Sequence, residues 1–203
     1  CRVLVLSETG SAESTDGTFL YAPDDPHIVE TNAYWHVENF MAKTQQWFPS
    51  APILNRTITV WVNVSEFGEG PHAIPPSGLI LPNQLPLTGT PSFRNSGLAA
   101  DIIYHEMQHI VTRDHGVQSG SYSTSAPRAD RELQAVHEAI SDYFAASITG
   151  DPHINEWFLS MCDNTPLHDG GPGRWLASDK TIFKYAKFDS VAGCYNSVKT
   201  AHA

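Results

Sequence analysis

Cysteine is scarce in this sequence, with three residues in 203, at positions 1, 162 and 194. None stands in a CxxC pair, which excludes a four-cysteine zinc site. Cys162 and Cys194 could form a disulfide, which would close a loop worth about 3–4 kcal/mol of chain entropy and imply an oxidising compartment, or they could remain buried thiols. Charge is also sparse. Charged residues make up 17% of the chain, and 12 Lys plus Arg stand against 22 Asp plus Glu for a net charge of −10. So few charges exclude a highly charged disordered chain. The acidic balance repels phosphate backbones, so no nucleic-acid partner is expected. No run approaches the roughly 18 apolar residues that cross a bilayer, so no membrane span is expected. The chain opens at Cys1 without Met or leader and reads as soluble and already processed or trimmed. A lipid anchor at Cys1 is disfavoured, because Arg2-Val3-Leu4-Val5-Leu6 follows at once as a strand with no flexible spacer. Also missing are a G-x-S-x-G nucleophile elbow and a phosphate-binding glycine loop.

What is present is a globular composition, 41% hydrophobic, in a chain long enough for one domain or for two small lobes sharing a cleft. Thr31–Trp47 has Tyr34, Val37, Phe40, Met41 and Thr44 at helical spacing, stopped by Pro49 and Pro52. Arg56–Val64 alternates Ile58, Val60, Val62 and Val64 on one side and predicts a half-buried strand. Gly78-Leu79-Ile80-Leu81, bounded by Pro76 and Pro82, predicts a brief edge strand open to an extended peptide. Leu98–Thr112 is apolar on nearly every side, which suggests a helix buried all round. The Ser-rich loop Gly116–Arg128 marks a boundary, and Asp130–Ile148 resumes a helix with Leu133, Val136, Ile140, Phe144 and Ser147 on one face and Gly150 near its end. Short helices are expected in the loop-rich remainder. Asn55-Arg56-Thr57 and Asn63-Val64-Ser65 match the glycosylation acceptor pattern, which bears on the chain only along a eukaryotic secretory route. A secreted location is the expectation.

The strongest chemical signal is His105-Glu106-Met107-Gln108-His109, an H-E-x-x-H run inside the apolar helix. Residues four apart on a helix lie about 40° apart around it and one turn along it, so two imidazoles can reach one ion. Glu106, beside them, can take a proton from a metal-bound water. Three ionisable groups in an apolar helix are expensive to desolvate, and metal coordination removes that conflict. A catalytic zinc wants a third protein ligand, and two residues compete. His115 fits the longer metzincin spacing, but that pattern wants Gly at position 112, where this chain has the β-branched Thr112. Glu138 lies in His137-Glu138-Ala139-Ile140-Ser141-Asp142, with Asp142 four residues on and placed to hold the free N–H of a ligating imidazole.

His105–Thr112 followed by Glu138-Ala139-Ile140-Ser141-Asp142 resembles the thermolysin-like gluzincin peptidases and their fungalysin relatives. The resemblance extends, more weakly, to the helix carrying Asn32-Ala33-Tyr34-Trp35, to the strand before the Pro/Gly loop, and to Trp175-Leu176-Ala177-Ser178-Asp179. It implies a zinc endopeptidase with His105, His109 and Glu138 as Zn2+ ligands, Glu106 as general base and Asp142 orienting a ligand histidine. It also implies His202 as an oxyanion-stabilising residue, and Ca2+ at a site including Asp101. Protein or peptide substrates are the implied partners, with a propeptide or a remaining C-terminal segment. The sequence departs from the family in lacking an Asn-Ala pair across Leu79–Gln84, and in ending where further helices are expected, as a fragment or a shorter variant would. The fold expected is α+β: an N-terminal lobe over 1–116 with a small mixed sheet and the H-E-x-x-H helix, then a mostly helical lobe over 117–203. The alternatives are a metzincin-type protease using His115 and a zinc-binding module without turnover.

Overall fold

The computed structural model describes residues 3–22, 24–64, 71–84, 94–117, 127–154 and 174–176. It forms a mixed α/β fold. Strand β1 (Val3–Ser7) leads into helix α1 (His27–Trp47), and β2 (Ile58–Val64) follows a short 3-10 turn. Next come β3 (His72–Ile74), β4 (Gly78–Gln84) and β5 (Arg94–Asn95), then helices α2 (Ala100–Asp114) and α3 (Arg128–Thr149). Two short segments, β6 (His153–Ile154) and β7 (Arg174–Trp175), pair antiparallel at the end. No helix among the described residues is long and apolar enough to cross a membrane.

The main sheet runs β1-β2-β4-β3, with β5 also paired to β4. Strands β1, β2 and β4 are parallel, with Val3 opposite Ile58, Val5 opposite Val60, Val60 opposite Leu79 and Val62 opposite Leu81. Side chains on strands alternate between faces, so these residues form one inner face. Most of that face is buried in a single core with Val37, Phe40 and Met41 of α1 and Ile103, Met107 and Ile110 of α2. Each buried aliphatic side chain contributes roughly 1.5–3 kcal/mol, so the sheet fixes α2 firmly. At the far end of α2, Arg56 donates from Nη1 to both carboxylate oxygens of Asp114, at 2.7 and 2.8 Å. That cation offsets an acid placed at the negative end of the helix.

Three expectations need correction. Strand β4 is not an edge: over Gly78–Ile80 it is paired to β2 on one side and β3 on the other. It also runs through Pro82, which is tolerated because Pro82 faces the irregularity between Val62 and Val64 where the ladder is already broken. Helix α1 begins four residues earlier than expected, at His27, whose backbone N–H donates to Asp25 Oδ1 at 2.9 Å; Tyr34 lies outside and Ala33 takes the buried position. Helix α3 turns Leu133 and Val136 of its expected apolar face outward, at 37% and 51% exposed, and leaves Ile140 and Phe144 half-buried, while Gln134, His137, Glu138, Ser141 and Asp142 are buried. Hydrophobic spacing points the wrong way there because His137, Glu138, Ser141 and Asp142 find partners on α2 and Gln134 pairs with Glu138. The helix does end at Gly150, in the left-handed conformation at φ 74°. The boundary loop over 118–126, most of the segment after residue 154, and all three cysteines lie outside the described residues.

The two glycosylation patterns differ sharply in setting. Asn55 is exposed at the end of the 3-10 turn, whereas Asn63 is 3% exposed and adopts a left-handed φ of 57° at the β2 irregularity. Its amide donates to Ser7 Oγ at 2.9 Å and Thr9 Oγ1 at 3.0 Å, and its carbonyl oxygen accepts from Asn95 Nδ2 at 2.7 Å. Asn63 therefore ties β1, β2 and β5 together and offers no free amide. Asn63→Ala is expected to destabilise the fold by about 2–4 kcal/mol, from unpaired buried groups and a strained φ. Asn63→Gly relieves the φ strain and should cost less, as read from denaturant midpoints.

Candidate metal centre

The site is built where α2 packs against α3. Helix α2 is buried around nearly its whole circumference, from Ile102 to Gln108 and again at Ile110, Val111 and Thr112, as expected from its apolar sequence. Beside the site, Tyr104 reaches back to α1. Its hydroxyl accepts from Asn39 Nδ2 and lies 2.7 Å from His36 Nδ1. Burial pushes His36 down to about 4, so this imidazole is neutral and its Nδ1 accepts a hydrogen bond from the Tyr104 hydroxyl, which keeps its proton. The pair locks α2 to α1 one residue before His105.

Across the α2–α3 interface, His105 sits between two carboxylates: its Nδ1 is 2.7 Å from Asp142 Oδ1 and its Nε2 is 3.0 Å from Glu138 Oε2. His109 Nε2 lies 3.0 Å from His105 Nε2 and 3.4 Å from Glu138 Oε1. Glu138 is steadied from its own helix by Gln134 Nε2, which donates to Oε1 at 2.7 Å. Among the described residues, one group of three or more His, Cys, Asp or Glu donors converges within 4.8 Å: His105, His109 and Glu138. Glu106, the next residue on α2, is buried.

The charges explain why this cluster suits a cation. Burial alone would lower the His105 pKa, but the charge and hydrogen bond of Asp142, then those of Glu138, overcome it and raise the imidazole to about 10. Burial and the adjacent His105 cation push His109 down to about 3. With Asp142 holding the His105 Nδ1 proton, a neutral His105 would point its Nε2 lone pair at a carboxylate oxygen and at a second imidazole lone pair. Three lone pairs converging in a buried space require a positive charge between them. A proton supplies one charge against the two carboxylates that touch His105, whereas a divalent ion balances both. Two imidazoles and a carboxylate are also the donor set of an open catalytic zinc site. The residues present therefore fit a divalent metal.

His115, the competing third ligand, is not brought to this cluster. Thr112 stays inside α2, its Oγ1 accepting from Gln108 Nε2 at 3.1 Å, so the helix continues past the position where a turn was needed. His115 ends about 9 Å along the axis from His109, exposed and with its ring 6.2 Å from that of Phe48. The chain reverses one residue later, at Gly116 with φ 83°. Asp101 lies in the first turn of α2 and belongs to no cluster of three such donors among the described residues. His202 falls outside the described residues. Sequence reading missed Gln134, His137 and Ser141. The available signal was spacing: Gln134 and Glu138, like His137 and Ser141, stand four apart and share a helix face.

No family model matches the chain, and no curated protein sequence matches it. Among solved structures, the precursor of protealysin, a metalloproteinase from Serratia proteamaculans, aligns with 14% identity and a TM-score of 0.48, over 72% of this chain and 42% of that one. This chain thus corresponds to less than half the length of that structure.

Proposed function

We propose that the chain is a zinc-dependent endopeptidase, with His105, His109 and Glu138 holding the metal and Glu106 acting as general base. The observation that carries the reading is the convergence of two imidazole Nε2 atoms and a carboxylate on one buried point, with Asp142 backing His105 at 2.7 Å. The sequence motifs that resemble gluzincin peptidases add Glu106 beside the ligands. In the same reading the site lies where the lobes over 1–116 and 117–203 meet, and the protein acts outside the cell.

Zinc in such a site supplies Lewis-acid charge that brings the pKa of a water ligand near 7. The chain's own residues do the rest. Asp142 fixes the tautomer and direction of His105. Glu106 takes the proton of the attacking water and delivers it to the amide nitrogen as the C–N bond breaks. Burial of the cluster between α2 and α3 keeps bulk water away, which strengthens each of these charge interactions.

The test is hydrolysis of casein or a quenched peptide, with and without a chelator, alongside metal analysis of the purified chain. Glu106→Gln is expected to keep its zinc and lose activity by about 10²–10⁴-fold. Simultaneous loss of metal would make Glu106 structural instead. Glu138→Ala should empty the site while His115→Ala leaves it full; the reverse pattern would move the third ligand to His115.

Metal uptake should also be coupled to pH. His105 is protonated below about 10 in the metal-free chain, and a ligand must first lose that proton. Zinc binding near neutral pH is therefore expected to release about one proton per ion, with affinity rising as pH rises towards 10. Calorimetric titration in buffers of different ionisation enthalpy reads the proton count directly.

A further inference from the structure

The proposed mechanism gives no role to a buried histidine that touches the metal cluster. His137 is 1% exposed on α3, and its Nε2 has no hydrogen-bond partner. A buried ring nitrogen without a partner is uncommon and calls for a reason. The opposite edge of the ring supplies one: His137 Nδ1 lies 2.6 Å from His109 Nδ1. The two ring planes are within 11° of parallel, with centroids 4.6 Å apart. A nitrogen–nitrogen distance of 2.6 Å is closer than face-to-face atoms can approach, so the near-parallel rings are offset and meet at their Nδ1 edges. In that arrangement the N–H of one ring points at the lone pair of the other.

The direction of the bond follows from the metal site, and the inference rests on that reading. His109 presents Nε2 to the cluster, so its proton must sit on Nδ1. A second proton on His137 Nδ1 would collide with it. We propose that His137 is the positioning residue of His109: its bare Nδ1 accepts the His109 Nδ1–H, holding that ring in the tautomer that leaves Nε2 open to the metal. His137 then carries its own proton on Nε2, the buried atom without a partner, at a desolvation cost that the bond to His109 helps to offset. Ser141 Oγ, 3.0 Å from the same His109 nitrogen, donates to the His137 backbone carbonyl and is left as a secondary acceptor. The two histidine ligands are thus backed differently, one by a carboxylate and the other by a neutral imidazole. A neutral acceptor leaves the site one negative charge poorer than a second carboxylate would.

Two measurements on the full chain test this. In the zinc-loaded protein, the 15N imidazole spectrum is expected to show His137 with a bare Nδ1 and a protonated Nε2. Zinc affinity, read by competition with a coloured chelator, should fall about 10–100-fold in His137→Leu. It should largely recover in His137→Asn, which has similar size and an amide acceptor; Ser141→Ala should change it by less than about threefold. The spectrum needs no variant, so the test stands if the leucine substitution prevents folding. A wild-type chain that takes up no zinc overturns the metal reading and this inference together. Zinc uptake by the wild type, with His137 protonated on Nδ1 or with the Leu and Asn variants binding equally, overturns this inference alone.

Discussion

Everything around the candidate site answers one constraint: ionised groups removed from water must meet opposite charge or a hydrogen-bond partner. Helices α2 and α3 bury Asp142 completely and Glu138 almost so, with His105 between them. Neither helix could carry its polar stripe into the interior alone. Paired, each supplies the counter-charge the other lacks, and the remaining mismatch is one that a divalent ion resolves. The interface is therefore cohesive for the same reason that it is chemically poised.

The rest of the fold keeps that interface in register. The inner face of the sheet and the core face of α1 clamp the apolar sides of α2. Tyr104 and the Arg56–Asp114 pair fix its two ends. A helix held this tightly cannot rotate to relieve crowding at His105 and His109, so α3 must adapt to it. It does so by burying small and polar residues such as Ala135, Ser141 and Ala145 and by sending Leu133 and Val136 outward.

Legibility of the sequence varied with the kind of force involved. The parallel strands and α2 were readable because hydrophobic burial imposes period two on strands and removes polarity from a helix enclosed on all sides. The convergence of His105 and His109 was readable because one helical turn sets their spacing, and the absence of His115 from their cluster was readable in Thr112. The buried face of α3 was not, because there electrostatic pairing outweighs hydrophobic periodicity, and a list of apolar positions carries no record of it. Strand β4 does not read as an interior strand because Pro76 and Pro82 flank its apolar run, and its pairing to β3 depends on a contact between segments that no local pattern announces. Asn63 was legible as an acceptor pattern yet serves as an internal tie, since a short motif says nothing of which way a side chain faces.

The parallel pairing of β1 with β2 has a kinetic side. Val3 sits opposite Ile58, so that contact closes a loop of roughly 50 residues, an ordering penalty of about 3.5 kcal/mol in its length-dependent part. Few stabilising bonds are in place to offset it at that moment, because β1 is only five residues long. The first strand is therefore expected to be among the last pieces to dock, on a surface formed by α1, β2 and β4.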